Sequence, residues 1–423
     1  MMRVLKRITR EYYFDLVIFL FLAFQLYLMK PEVFVIRDWC STPYALNYSL
    51  GLGSRFFIGS VVRLLTPYLT MPFLHYFICG SLLALFALLA FFFGECVRSL
   101  QRNTGFTRTD EADVTAFALI ALYLASPASP AYLFHEKNFG RLDIYFFIFT
   151  LISLFLSRTL NMRYLIILLS VISVATHQVY VFTLFPLIFG VLLYNMYEND
   201  FDKRSVILFS FTVILTSLAF VYFQFYSKIS ATSVSGVFAF TFKHARVPIN
   251  LTMIEYEYFR GIADHAHWFV NQDRLARGLV AMALISPLLI MITFIFIYSF
   301  ICSESKMLKF IFIVYLSLPL MSIPAFALTV DWGRWFALIY AGQILLILYL
   351  AMVNCAPVII ALKKLSKFIM ANLFLLLIIV LFFSLLGKYR DDEFPVETNK
   401  IVDQFMPNLS KEPIKINFKQ KLV

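Results

Sequence analysis

Long, unbroken apolar runs recur along the whole chain, from residue 14 to residue 387. A spanning helix needs roughly 20 apolar residues, whereas a transmembrane strand shows alternation of apolar and polar positions. The runs therefore predict an all-α, polytopic integral membrane protein and exclude a porin-like barrel. Composition points the same way. The chain is 61% hydrophobic and 14% charged, with 49 Phe and 23 Tyr. Soluble domains carry about 25% charged residues. A soluble enzyme, a disordered chain and a fibrous one are excluded.

The candidate spans are 14–29, 73–97, 114–134, 144–158, 164–176, 179–196, 205–226, 279–301, 310–328, 336–353 and 369–387. That is about eleven helices by the hydropathy criterion, all in one transmembrane domain, 1–423. Basic residues test the count, because they collect in cytoplasmic loops. Arg3, Lys6, Arg7 and Arg10 place the N-terminus inside. Arg98, Arg102 and Arg108 then fall on the same side. So do Arg158 and Arg163, Lys203 and Arg204, Lys306 and Lys309, and Lys363, Lys364 and Lys367. The agreement requires 164–196 to be a hairpin of two helices, and it puts the tail 388–423 outside. No small-x-small cleavage site follows Leu28, so 14–29 is expected to be a retained first helix. The surplus of 36 Lys and Arg over 25 Asp and Glu, a net +11, reads as loop anchoring rather than nucleic-acid binding.

The hairpin's first arm, 164–176, rises only about 20 Å against about 30 Å of hydrocarbon. Its tip, Thr176-His177-Gln178, is expected below the outer surface, where polar backbone is tolerated only inside protein or beside a wet cavity. Two long outer loops are predicted, 30–72 and 227–278. In the first, Arg55, Gly59, Arg63 and Thr66 recur at helical spacing among apolar neighbours, which predicts an interfacial amphipathic helix. The five Cys are scattered without a C-x-x-C pair, so no zinc site or disulfide framework is indicated.

Chemistry-bearing residues gather on the predicted outer side. Asp38, beside Arg37, opens the first outer loop; it is either a base or metal ligand, or a turn residue paired with Arg37. Arg55, near Gly51 and Gly53, can clamp a phosphate in the fork geometry that Arg favours, or snorkel to headgroups. His135, Glu136, Lys137, Asn138, Arg141 and Asp143 fall within nine residues. Glu136 and Asp143 can hold a cation and Arg141 a diphosphate; the alternative is an ordinary polar hairpin. His177, with Gln178, is a candidate base or a satisfied structural histidine. Asp331, Trp332, Arg334 and Trp335 form either a phosphate and sugar site or an ion pair between belt aromatics. Lys137, Arg141 and Arg334 break the preference of short outer loops against basic residues, and an anionic ligand would explain them. Metal binding by Asp264, His265 and His267 is disfavoured, because His two apart suit a metal only in extended chain.

A short first helix, then an outer loop opening on an acidic residue and continuing into an amphipathic helix, resembles the GT-C class of membrane glycosyltransferases. In that class an acidic residue of the first outer loop is catalytic and another often follows in the second. Asp38 matches the first position, and Glu136 or Asp143 the second. The layout is also similar to bacterial surface-polysaccharide polymerases of the Wzy and EpsG type, whose outer-face Arg residues hold a lipid diphosphate. Arg141 and Arg334 are the nearest matches.

The expectation is a membrane glycosyltransferase, or an O-antigen or capsule polymerase, of the cell envelope. It would transfer sugar from a polyprenyl-(di)phosphate donor to a glycan acceptor at the outer face, within membrane lipids and without nucleic acid. Asp38, His177 and Glu136 are the expected catalytic residues. Arg37, Arg55, His135, Asn138, Arg141, Asp143, Gln178, Asp331, Trp332 and Arg334 are the expected substrate contacts. No dedicated metal site is expected, although a divalent cation, Mg or Mn, is compatible with the carboxylates. The sequence sets no oligomeric state. The rivals are a flippase or transporter of lipid-linked saccharides, which should show matching halves, and a glycan acyltransferase resting on His177.

Overall fold

The computed structural model describes residues 12–102, 111–134, 138–159, 162–259, 282–283, 285–328 and 331–386. Residues 1–11, His135, Glu136, Lys137, the part of the second long loop that holds Asp264, His265 and His267, the tail 388–423 and the side chain of Trp332 lie outside that description.

The described chain is overwhelmingly helical. Its helices are α1 (Tyr13–Met29), α2 (Asp38–Ala45), α3 (Phe56–Leu65), α4 (Met71–Arg102), α5 (Glu111–Ala125), α6 (Pro130–Leu133), α7 (Asp143–Leu156), α8 (Leu165–Thr176), α9 (Tyr180–Thr183), α10 (Phe185–Glu198), α11 (Lys203–Val221), α12 (Val234–Phe242), α13 (Leu251–Tyr258), α14 (Ser286–Cys302), α15 (Lys306–Ser317), α16 (Ile323–Leu328), α17 (Trp332–Met352), α18 (Ala356–Ala371) and α19 (Leu373–Leu386). Each apolar run of the sequence falls on one or two of them. Five helical stretches among the described residues are long and apolar enough to cross a membrane: Met71–Arg102, Ala112–Leu133, Lys203–Tyr226, Lys306–Phe326 and Gly333–Met352. The pair α18–α19 makes a sixth if it is a single span.

That pair departs from the sequence expectation. The apolar run 369–387 predicts one straight helix preceded by a basic loop. Instead Lys363, Lys364 and Lys367 lie on α18, and the chain bends by 92° at the break before α19. The reason is amphipathicity. Val358, Ala361, Leu362, Leu365 and Ile369 recur at helical spacing and bury one face against α5 and α14, while Lys364 and Lys367 stay exposed.

Helix α17 is central. Of its most apolar window 94% is buried, and it packs on α4 and α10. Lys203–Tyr226 is the opposite case, with 22% buried, so its apolar side chains face away from the protein. The end of α4 remote from residue 71 is locked by charge. Arg98 holds Asp15 of α1 through two hydrogen bonds of 2.5 and 3.0 Å and Glu95 at 3.2 Å.

At the other end the two long connecting segments fold together as a cap, which sequence spacing does not announce. A short parallel ladder pairs β1 (Leu69–Thr70) with β2 (Ala245–Arg246). Ser230 N–H donates to Leu50 O at 2.6 Å, and Asn250 N–H to the Thr42 hydroxyl at 2.8 Å. The Tyr258 hydroxyl donates to Ser54 O at 3.0 Å. The amphipathic helix expected around Gly59 is α3, whose buried face is Phe56, Ile58, Gly59 and Val62. Gly59 is required there, because a β-carbon would collide with the backbone carbonyl of Leu46. Asn47 and Asn250 are structural caps: the Asn47 side chain accepts from Ser49 N–H in a short 3-10 turn, Tyr48–Leu50, and the Asn250 side chain from Met253 N–H in the first turn of α13.

Candidate functional site

Three helices begin around one cavity, and each carries an arginine at its start. Arg55 is the N-cap of α3, Arg141 stands two residues before α7, and Arg334 lies in the first turn of α17. The cavity has a volume of about 710 Å³. Its wall includes Arg55, Arg141, His177, Gln178, Asp331 and Arg334, which lie far apart in sequence. A niche of about 20 Å³ opens among Arg55, Arg141, His177 and Arg334. That is room for about one water-sized group.

Each side chain is positioned by a local device. Arg55 adopts the left-handed conformation, φ 65°, and its N–H donates to Ala175 O at 3.1 Å, which ties the start of α3 to the end of α8. A non-glycine residue held in that region is strained and usually has a functional or structural reason. Its Nη1 pairs with Glu257 Oε1 at 2.6 Å, and its Nε is buried with no hydrogen-bond partner among the described residues. Arg141 follows Gly140, φ +93°, where a β-carbon would press on Ile78, and its guanidinium lies 5.9 Å from the Trp39 ring centre.

Arg334 is 3% exposed and lies 4.3 Å over its neighbour Trp335. It pairs with Asp331 and, at 2.8 Å, with the fully buried Asp143. The contact with Asp143 is close but poorly aligned: neither Asp143 oxygen has a hydrogen-bond partner among the described residues. Asp143 is thus a counter-ion beneath the cavity rather than a wall residue. Asp331 lies among guanidiniums. Burial would raise its carboxyl, but Arg334, Arg141 and Arg55 outweigh that and hold it below the usual carboxylate range.

His177 caps the C-terminus of α8 in extended conformation, with its ring set edge-on to Phe146 and Trp335. Its Nδ1 accepts from Val179 N–H at 3.3 Å, so the neutral ring carries its proton on Nε2. Burial first, then Arg55, Arg334 and Arg141, push its pKa well below the ordinary value. This geometry makes His177 a neutral hydrogen-bond donor. The base role expected from sequence would need the other nitrogen free.

One flank of the cavity is apolar: Phe182 of α9, Phe220 and Phe223 of the Lys203–Tyr226 stretch, and Ala325 of α16. Here α11 passes into a π-helical turn, Tyr222–Tyr226, and Gln178 reaches its Phe223 carbonyl at 3.5 Å. Single π turns recur at functional sites. The cap closes the cavity with Lys228 and with Thr252, Tyr256, Glu257 and Tyr258 of the α13 region.

Not every expected residue joins. Asp38 is exposed at the seam of the cap, where Oδ2 accepts from Asn250 Nδ2 at 2.9 Å and Oδ1 from Trp39 N–H at 2.7 Å. It does not line the cavity, although Trp39 beside it does. Arg37 is exposed and Asn138 is buried, and neither lines it. Among the described residues no three His, Cys, Asp or Glu side chains group to hold a metal ion; Glu136, one of the two carboxylates expected to hold a cation, lies outside them. Sequence reasoning missed Lys228, Tyr256, Glu257 and Tyr258. No local spacing marks them, because the cap joins segments such as Ser54 and Tyr258 that lie 204 positions apart.

Comparison with protein-family models, with curated proteins and with solved structures finds no match.

Proposed function

We propose that this chain is a polytopic membrane glycosyltransferase or polysaccharide polymerase that binds a polyprenyl-(di)phosphate-linked sugar at the outer face of the membrane. The observation that carries the reading is the convergence of three arginines and three helix N-termini on one cavity. A helix N-terminus carries about half a positive charge and unsatisfied N–H groups, which favour anions. Arginine adds bidentate donors suited to phosphate. His177 Nε2–H and Gln178 add neutral donors.

The apolar flank supports a lipid-borne rather than a soluble phosphate. Phe182, Phe220, Phe223 and Ala325 lead from the arginines toward Lys203–Tyr226, most of which faces away from the protein core. The sugar would lie toward the cap, against Trp39 and Tyr256. The proposed topology is eleven crossings with the N-terminus inside and the tail 388–423 outside, which sets the cap and cavity at the outer surface. Acceleration would come from positioning and from neutralising the departing phosphate.

Deleting the gene and analysing lipid-linked intermediates tests this. Accumulated single repeat units point to a polymerase, and an incomplete unit to a single-sugar transferase. Complete units trapped inside point to a flippase and refute the proposal. Intact glycan assembly in both Arg141→Ala and Arg334→Ala refutes the assigned anion site.

A further inference from the structure

We infer that Glu257 is an internal counter-anion, which the ligand's phosphate displaces from Arg55, and that the freed carboxylate then accepts the proton of the incoming hydroxyl. This rests on the cavity being a lipid-phosphate site.

Among the described lining residues the only carboxylates are Asp331 and Glu257. They are held differently. Asp331 pairs with Arg334 of its own helical turn, and Arg334 is also fixed by the fully buried Asp143, so that set belongs to the rigid core. Glu257 approaches from the cap. It stands on α13, and its Oε1 lies 2.6 Å from Arg55 Nη1. Its side chain is 19% exposed, so it can rotate into the cavity without unpacking the core.

Arg55 is the cavity arginine whose backbone is strained, and its Nε, like that of Arg334, is buried without a hydrogen-bond partner among the described residues. A phosphate there can take both Nη1 and Nε, which the single carboxylate oxygen does not. Displacement thus improves the pairing of Arg55 and releases a carboxylate beside Tyr256 and Trp39, where the acceptor would lie. The step then balances. The acceptor's hydroxyl proton passes to Glu257, and its oxygen forms the bond to the anomeric carbon. The bond from that carbon to the phosphate oxygen breaks, and its electron pair leaves with the phosphate held by Arg55, Arg141 and Arg334. Arg55 therefore signals to the base that the donor is in place.

The test uses the full chain in lipid nanodiscs, with inorganic diphosphate and a C55 polyprenyl diphosphate as probes in titration calorimetry. Glu257→Gln removes the competing charge at nearly constant shape. Diphosphate should bind about fivefold tighter, the scale of a partly exposed ion pair. Glu257→Asp, which keeps the charge but draws it back from Arg55, should fall between. At wild-type stability, Glu257→Gln should not restore glycan assembly to a deletion strain. Unchanged or weaker diphosphate binding in Glu257→Gln, with wild type binding normally, overturns the counter-anion role alone. Restored glycan assembly by Glu257→Gln overturns the proton-acceptor role. If wild type binds neither probe, the lipid-phosphate reading fails and this inference with it.

Discussion

Asp143→Asn separates the scaffold of the cavity from its chemistry. Asp143 is fully buried and 2.8 Å from Arg334, itself 3% exposed. Breaking a buried pair by neutralising one partner costs about 3–5 kcal/mol, because a charge is left behind without compensation. Asp331 still pairs with Arg334, so the lower end applies, about 3 kcal/mol. Removing both charges with Asp143→Leu and Arg334→Met leaves apolar groups of similar volume and should cost less than Asp143→Asn alone. Reversible unfolding in detergent, followed by calorimetry, measures Asp143→Asn, the singles Asp143→Leu and Arg334→Met, and the double variant. Diphosphate affinity, measured on the same samples, should survive Asp143→Asn and be lost in Arg334→Met. The reasoning is refuted if Asp143→Asn costs under about 1 kcal/mol, the range of exposed pairs, or if the double variant is destabilised by the sum of the singles.

Three further outcomes follow from the same geometry. Arg55→Gly removes a left-handed non-glycine residue worth about 1 kcal/mol of strain and a partly exposed pair worth up to about 1 kcal/mol. Stability should be nearly unchanged while diphosphate binding is lost; a clear fall in melting temperature would show that Arg55 is structural. Ala325→Trp fills the apolar flank, where Ala325 is 2% exposed. It should abolish binding of the C55 lipid yet spare inorganic diphosphate, and equal loss of both would place the lipid tail elsewhere. His177 has a folded pKa below its unfolded one, so the unfolded chain binds a proton first as pH falls. Its share of stability is full above about pH 6.5 and is lost below it at about 1.4 kcal/mol per pH unit. His177→Asn should flatten that acid slope by about one proton, with His244 titrating alike in both proteins; identical slopes would mean that His177 is not buried neutral.

The helical layout was legible because hydropathy is a local property. Each apolar run needs to satisfy its own backbone, and helix is the only local way to do so. Local reasoning fails where helices are broken from within. Nothing in the run 369–387 announces the bend at its start, since α18 becomes helical through burial of one face against α5 and α14 rather than through apolar length. The basic cluster Lys363, Lys364 and Lys367 looks like a loop signal in sequence, yet lysines on the outer face of an amphipathic helix give the same composition.

The site was legible to the extent that charge in an apolar chain is costly. Arg55, Arg141, Arg334 and His177 were identified because polar residues near membrane depth need a reason. Asp143 and Asp331 were identified with them, but Glu257 and Lys228 were not, because they stand in a long connecting segment where charge is ordinary. Asp38 shows the converse. Its position after the first helix suggests catalysis; its carboxylate accepts from Asn250 of the other cap segment and from the neighbouring Trp39 N–H, and it does not line the cavity. The cap and the arginines are one device. Three guanidiniums around one cavity repel each other, and the acids that compensate them divide by origin. Asp143 and Asp331 come from the helix starts and remain, whereas Glu257 comes from the cap and can leave. With Glu257 withdrawn, Arg55 keeps no carboxylate partner among the described residues, and a phosphate ester can take that place.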